Sequence, residues 1–187
     1  ETTGRTPING QIALRADHGL FEIERANLST PASELSATGQ FSIERDESNL
    51  QLNLASSDAT ELQRVLFSTG LFFDLENQLE KSKLELAGKV AFNGTVRGKL
   101  KEPSIEGRAS LDTLKMNGRD LGSLAANIST TPDSIRITDG ALKERDGGGV
   151  QLALSVPLKE GLSDGAIDAT LDRANAGNLT AALSSIN

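Results

Sequence analysis

The stretch KLELAGKVAFNGTVRGKLKEP, residues 83–103, decides the fold class of this 187-residue chain. From Leu84 to Leu100 every even-numbered position is apolar or glycine, and most odd-numbered positions are polar or charged. Successive side chains of a β-strand point to opposite faces, so this pattern predicts a long strand with one apolar and one polar face. The apolar face needs a cover, and the rest of the sequence has to supply it.

The same alternation recurs along most of the chain. It is clear in ELSATGQFSIE (34–44), LQLNL (50–54), IEGRASL (105–111) and GVQLALSVPL (149–158), with glycine, asparagine and aspartate clusters marking turns between them. Such spacing is typical of a meander, and we predict an all-β fold of about eleven antiparallel strands with one or two short helices.

The clearest helical pattern covers residues 58–67. Asp58 is a candidate N-cap, and Glu61 stands at the position that completes a capping box. Leu62, Val65 and Leu66 share one helical face, which we expect to pack against the end of the sheet. Weaker helical patterns occur in residues 73–83 and 175–185.

The domain organisation predicted is one β-rich segment, residues 1–187, of a larger protein. Within it, the pattern of residues 8–66 recurs in residues 122–183, joined by residues 67–121. The first part of the match aligns residues that lie 114 positions apart. After an insertion of three residues the shift becomes 117, which aligns Leu35 with Leu152. The alternative is that any two alternating segments align in this way. A true repeat would indicate a modular array whose units cannot bury their apolar face alone.

Composition excludes several classes of function. The net charge of −7 argues against nucleic acid, whose binding requires cationic neutralisation of phosphates. The chain has no cysteine, and its one histidine, His18, lies in a predicted turn, so no nucleophile–histidine catalysis can be assembled. No apolar run of about 18 residues is present to span a membrane. The sequence therefore predicts no enzyme, no cofactor and no metal site.

Two arrangements can cover a sheet with one apolar face. A second sheet gives a β-sandwich, whereas a sheet that curls on itself leaves a groove lined by aliphatic side chains. Glycines such as Gly39, Gly94 and Gly107 fall on the apolar side, where a tight core would favour larger residues. Glycines also allow strong bending, which favours the curled sheet, or β-taco, with the sandwich as the alternative.

In the curled arrangement the groove is lined by the apolar residues of the alternating stretches. The predicted lining residues are Phe41, Ile43, Leu52, Leu54, Leu84, Leu86, Val90, Phe92, Val96, Leu100, Ile105, Leu111, Leu152 and Leu154.

The stretch GTVRGKLKEPSIEGRASL, residues 94–111, resembles the recurring G-x-v-x-G-x-l-x-x-P-x-x-x-G element of the AsmA-like superfamily, which includes the TamB-like proteins. Gly94, Gly98, Leu100, Pro103 and Gly107 match that element position by position. The stretches LSATGQFSIERDESNLQLNLASSDATELQRVL and MNGRDLGSLAANISTTPDSIRITDGAL are similar to the pieces that flank it in these proteins. Together the pieces cover most of residues 8–183.

The resemblance implies a location and a role. Such proteins are anchored in the inner membrane of diderm bacteria and extend through the periplasm as a β-groove that conducts phospholipid acyl chains. The implied partners are therefore phospholipid, neighbouring segments of the full-length protein through edge strands and, in the TamB-like branch, an outer-membrane β-barrel. Two alternatives stay open at this point: an assembly factor that holds client β-strands of outer-membrane proteins, and a closed β-sandwich acting as a spacer or adhesion module.

Overall fold

The computed structural model describes residues 6–68, 84–100, 102–116, 118–145, 147–157 and 166–172. In this part of the chain it contains ten strands and one helix. They are β1 (Asn9–Asp17), β2 (Leu20–Ser29), β3 (Ser33–Ser42), β4 (Ser48–Ser56), α1 (Ala59–Ser68), β5 (Leu84–Lys99), β6 (Glu102–Met116), β7 (Arg119–Thr131), β8 (Ser134–Lys143), β9 (Gly149–Pro157) and β10 (Ala166–Asp172).

The ten strands form a single antiparallel sheet in which each strand pairs with the next one along the chain. The sheet is curled and does not close, because β1 and β10 are its two edges. Within the described residues the strands contact their sheet neighbours, β3 also approaches β5, and α1 contacts β5, but no second sheet faces the first. The all-β prediction is confirmed with ten strands instead of about eleven, and the sheet curls instead of forming a sandwich.

Irregularities in strand pairing account for the curl. The register shifts in six of the nine strand pairs. Each β-bulge bends its strand and increases the local right-handed twist. One such shift falls at Gly88 in β5, whose φ of 75° lies in the left-handed region that glycine adopts without strain. The long strands therefore bend within their length.

Burial shows which way the sheet curls. Leu50 and Val96 oppose each other on β4 and β5 and are only 7% and 6% exposed, whereas the neighbouring Gln51 and Arg97 are exposed. Since no second layer covers them in the described structure, the sheet's own curvature must bury these side chains. We call the face that carries Leu50 and Val96 the apolar face, and the opposite face the polar face. The apolar face is therefore concave, and the polar face is convex.

The four-strand unit occurs twice with the same pairing. The β1–β2 pair Leu14↔Ile23 corresponds to the β7–β8 pair Ile128↔Ile137 under a shift of 114. The register shift of β2 against β3, between Ile23 and Ala26, recurs between Ile137 and Gly140. Strands β7–β10 thus pair in registers similar to those of β1–β4, and the repeat of residues 8–66 in residues 122–183 stays a prediction.

The pairing corrects one detail of the sequence alignment. The pair Leu35↔Leu54 on β3 and β4 corresponds to Val150↔Leu171 on β9 and β10. Leu35 therefore matches Val150 and not Leu152, so the predicted three-residue insertion is divided between two turns. A two-residue error of this kind keeps every side chain on its correct face, which is why the alternation pattern could not detect it.

Helix α1 begins as the sequence predicts but uses its acidic residue differently. The Asp58 carboxylate accepts a hydrogen bond from the Thr60 amide at 2.9 Å, as an N-cap does. Glu61 does not return to the Asp58 amide, which donates instead to Ser56 Oγ at 3.1 Å. The side chains of Val65 and Leu66 and the helical patterns at 73–83 and 175–185 lie outside the described residues. No helix in the described part is long and apolar enough to cross a membrane.

Candidate functional site

The apolar face is continuous across the sheet. Directly opposed residues form rows that run from strand to strand, such as Leu28, Leu35, Leu54, Phe92 and Ala109 on β2 to β6. A second row continues with Ile128, Ile137 and Leu154 on β7 to β9, and Leu154 is paired in register with Ile167 of the edge strand β10. Between β3 and β6 this face carries no charged side chain. It is therefore a neutral, mainly aliphatic surface.

Most predicted lining residues lie on this face. Val96 and Leu111 are buried, and a larger group is half-buried. That group is Phe41, Leu52, Leu54, Leu86, Val90, Phe92, Ile105, Leu152 and Leu154. Half-burial is the state expected of side chains that meet each other sideways but have no layer above them. Leu84 begins β5, and its side chain lies outside the described residues.

Two predicted lining residues lie beyond the ends of the strands. Ile43 follows β3 in a bend and is 40% exposed, and Leu100 follows β5 in a turn and is 39% exposed. The Leu100 amide donates to the carbonyl of Ser42 at 3.0 Å, so the two turns are adjacent. Both residues therefore sit at one rim of the apolar face instead of inside it.

An aromatic ring fills part of the space that the inward glycines were expected to leave open. Gly94 and Gly107 oppose each other on β5 and β6. A Cβ atom added to Gly94 would lie 2.5 Å from Phe92 Cζ, and one added to Gly107 would lie 2.6 Å from the same atom. The Phe92 ring thus covers the glycine pair, the cross-strand arrangement known as aromatic rescue. The glycines here make room for Phe92 and not for a ligand.

Helix α1 closes the other end of the face through a buried carboxylate. Glu61 is only 7% exposed, and its Oε1 accepts hydrogen bonds from the Ala32 amide at 3.1 Å and from the Thr30 hydroxyl. Ser33 Oγ lies 3.3 Å from the same oxygen and 2.9 Å from Ser56 Oγ. Because Ser33 and Ser56 oppose each other on β3 and β4, these contacts fasten the helix to the end of the apolar face.

Several lining residues were not among those predicted from the sequence. Phe21 stacks on Phe41 with ring centroids 4.9 Å apart, and Ile128 and Ile137 oppose each other on β7 and β8. The alternation of β2, β7 and β8 could have identified them, but bulges interrupt its period within each strand pair. The Glu61 contacts had no signal in the sequence beyond the capping-box spacing.

A depression lies along the middle of the sheet, and residues of both faces contribute to its lining. The depression has a volume of about 850 Å³ and lies along β1 to β6. Its lining includes Leu35, Leu54 and Phe92, together with the residues directly before and after each of them in the chain. The neighbours form two opposed rows of polar-face residues. One row is Asn27, Ser36, Asn53, Asn93 and Arg108, and the other is Ser29, Glu34, Ala55, Ala91 and Ser110. A furrow between two such rows exposes the backbone of the residues that point to the opposite face. A smaller depression of about 590 Å³ adjoins it and shares the second row.

The exposed charged groups between β3 and β6 lie on the polar face and its edges, whereas Glu61 and Glu144 are buried. Arg97 Nη1 lies 3.0 Å from Glu106 Oε2, with both side chains 60% exposed, and Asn127 Nδ2 donates to Asp139 Oδ2 at 2.8 Å. Exposed ion pairs of this kind contribute little to stability. They keep the outer surface hydrated, while the apolar face between β3 and β6 carries no charged side chain.

The described residues contain no group of three or more His, Cys, Asp or Glu side chains placed to hold a metal ion. His18 occupies the β1–β2 turn with φ of 47°; its ring contacts the exposed Asp17 carboxylate, and its carbonyl accepts a hydrogen bond from the Arg45 guanidinium. The arrangement supports binding by surface burial. In comparisons with known proteins, no family model, curated protein or solved structure matches the chain.

Proposed function

We propose that this chain binds acyl chains of lipids on its concave apolar face. The observation that carries the proposal is a mainly aliphatic face that runs across the sheet, carries no charged side chain between β3 and β6, and is covered by no second layer within the described structure. Such a surface recognises a ligand by removing its methylene groups from water, and it needs no directed polar contact.

The size of the effect is sufficient for binding. Full burial of a methylene group contributes about 0.8 kcal/mol, and an open face covers roughly half of each group. A palmitoyl chain would then gain about 6 kcal/mol, which corresponds to a dissociation constant on the order of tens of micromolar before ordering costs. Polar head groups would stay at the rim, among the exposed charges.

The resemblance to AsmA-like proteins extends this proposal to location and context. In that setting the chain is a periplasmic segment of an inner-membrane-anchored protein, and its groove continues into neighbouring segments. Acyl chains would move along the apolar face toward the outer membrane. The support for this wider role is the order of the glycine-containing elements in residues 35–142, together with the open apolar face.

Lipid extraction from detergent-free purified protein, followed by mass spectrometry, tests the proposal. Acyl lipids are expected in the wild-type extract, and a fluorescent palmitoyl probe is expected to compete with them. Leu54→Asp places a charge on the half-buried apolar face, where the side chain can still reach water. It should lower probe affinity at least about tenfold while the melting temperature changes little.

Asn53→Asp is the matched control, since it adds the same charge one residue earlier on the polar face. Probe affinity in this variant should equal that of the wild type. If Leu54→Asp unfolds the protein instead, the face is a closed core. If the wild type neither carries lipid nor binds the probe, the proposal is wrong.

The second candidate function, holding client β-strands for assembly into the outer membrane, is favoured by one different observation. The edge strand β1 exposes two large apolar side chains, Ile12 and Leu14, and its outer backbone has no partner strand among the described residues. Such an edge accepts additional strands. A protein of this second kind would retain its client when Leu54→Asp abolishes lipid binding.

A further inference from the structure

Strand β1, an edge of the described sheet, leaves large apolar side chains uncovered. On β1, Ile12 and Leu14 are 58% and 49% exposed, and Ile8 just before the strand is 60% exposed. The outer backbone of β1 pairs with no strand in the described structure. An edge with exposed apolar side chains is a template for adding another strand.

The molecule contains a second copy of this edge, and there it is occupied. Strand β7 corresponds to β1, because the two hairpins share their turn and, on both sides of a bulge whose position differs slightly, their register under the shift of 114. The outer edge of β7 pairs with β6. The β6–β7 pair therefore shows how a strand sits against an edge of the β1 type.

The side chains of β7, whose outer edge is paired, are more buried than the corresponding side chains of β1. Ala126 on β7 corresponds to Ile12 and is 3% exposed, compared with 58% for Ile12. Ile128 corresponds to Leu14 and is half-buried, whereas Leu14 is exposed. The uncovered state of Ile12 and Leu14 is what β7 would show if β6 were removed.

We propose that the outer edge of β1 binds an extended peptide segment with the residue pattern of β6 as an additional antiparallel strand. Transferring the β6–β7 register places Gly107 opposite Leu14 and Ala109 opposite Ile12. Small residues of the incoming strand thus meet the two large side chains of β1, so the apolar face continues without a collision. This proposal is independent of lipid binding.

The same register predicts a charge pair. Glu106 pairs with Ser129 on β7, which corresponds to Arg15 on β1. The Arg15 guanidinium now lies 2.6 Å from Glu24, with its side chain 74% exposed, so it is accessible to an incoming carboxylate. An acidic residue at this place distinguishes the proposed register from any register shifted by one residue.

The other edge should select a different strand. Strand β10 corresponds to β4, whose outer edge pairs with β5. A peptide with the β5 pattern is therefore expected at β10 and not at β1. The two peptides serve as controls for each other.

The test is hydrogen exchange of the full chain with a synthetic peptide of residues 102–116, and fluorescence anisotropy of the labelled peptide. The peptide should protect the amides of residues 9–17, whereas a peptide of residues 84–99 should leave them unprotected. Leu14→Lys should weaken binding about tenfold, because a charge replaces an apolar contact at the edge. Ala13→Lys, on the polar face of the same strand, is the matched control and should bind normally.

A charge exchange tests the register. Arg15→Glu should weaken binding of the wild-type peptide about threefold, and a peptide with Glu106→Arg should restore it. Lack of protection at residues 9–17 with millimolar peptide would overturn the proposal. So would dimerisation of the chain alone with β1 protected, since the edge would then serve a second copy.

Discussion

Removing the Glu61 carboxylate should detach α1 from the sheet while leaving the strands paired. In the structure this carboxylate accepts hydrogen bonds from the Ala32 amide at 3.1 Å and from the Thr30 hydroxyl, and lies 3.3 Å from Ser33 Oγ. The variant Glu61→Ala leaves these donors without their partner at a position that is 7% exposed in the wild type.

The magnitude follows from the number and the charge of these contacts. A hydrogen bond to a charged group contributes about 1.5–3 kcal/mol, and a buried donor left unpaired costs on the order of 1–3 kcal/mol. The Thr30 and Ser33 hydroxyls can turn to other acceptors, which leaves the Ala32 amide as the main loss. We therefore expect Glu61→Ala to lower the free energy of unfolding by about 2 kcal/mol, and Glu61→Gln, which keeps an acceptor oxygen, by about half as much.

Urea denaturation gives the change in stability, and hydrogen exchange at the Ala32 amide locates it. Glu34→Ala is the control, because Glu34 is acidic, lies near the same turn and is exposed. It should change stability by less than about 0.5 kcal/mol. If Glu61→Ala behaves like this control, with unchanged exchange at Ala32, the carboxylate does not fasten the helix and the reasoning is refuted.

Three further predictions concern the sheet and its helix. Gly107→Ala should lower the free energy of unfolding by about 2 kcal/mol in urea denaturation, because the new Cβ would lie 2.5 Å from the Asn93 carbonyl oxygen and 2.6 Å from Phe92 Cζ. Gly149→Ala is the control, and it should lower the free energy of unfolding clearly less, because the nearest atom to its Cβ would be 3.1 Å away. Arg97→Ala should change the unfolding free energy by less than about 0.5 kcal/mol despite its ion pair, and a larger loss would show that the exposed pair is structural. Asp58→Ala should cost about 1 kcal/mol in thermal unfolding while Asp58→Asn costs little, and equal losses would contradict its role as the N-cap.

The sequence by itself predicted the all-β class, the faces of the strands and the start of the helix. It could do so because these features depend on neighbours in the chain: alternation at positions 90–98 places Val90, Phe92 and Val96 on one face whatever lies beyond. An N-cap likewise needs only Asp58 and the two residues after it. The AsmA-like resemblance and the lipid role inferred from it stay predictions.

Only the tertiary structure decided how the apolar face is covered. The choice between a sandwich and a curled sheet depends on bulges, and a bulge exists only when a strand meets its partner, as at Ala87/Val90 of β5 against β6. The Phe92 ring covers Gly94 and Gly107 because two strands bring the glycines together, and Glu61 reaches Ala32 across 29 residues of chain. A local pattern records which face of a strand is apolar, but it does not record which groups from distant parts of the chain meet that face.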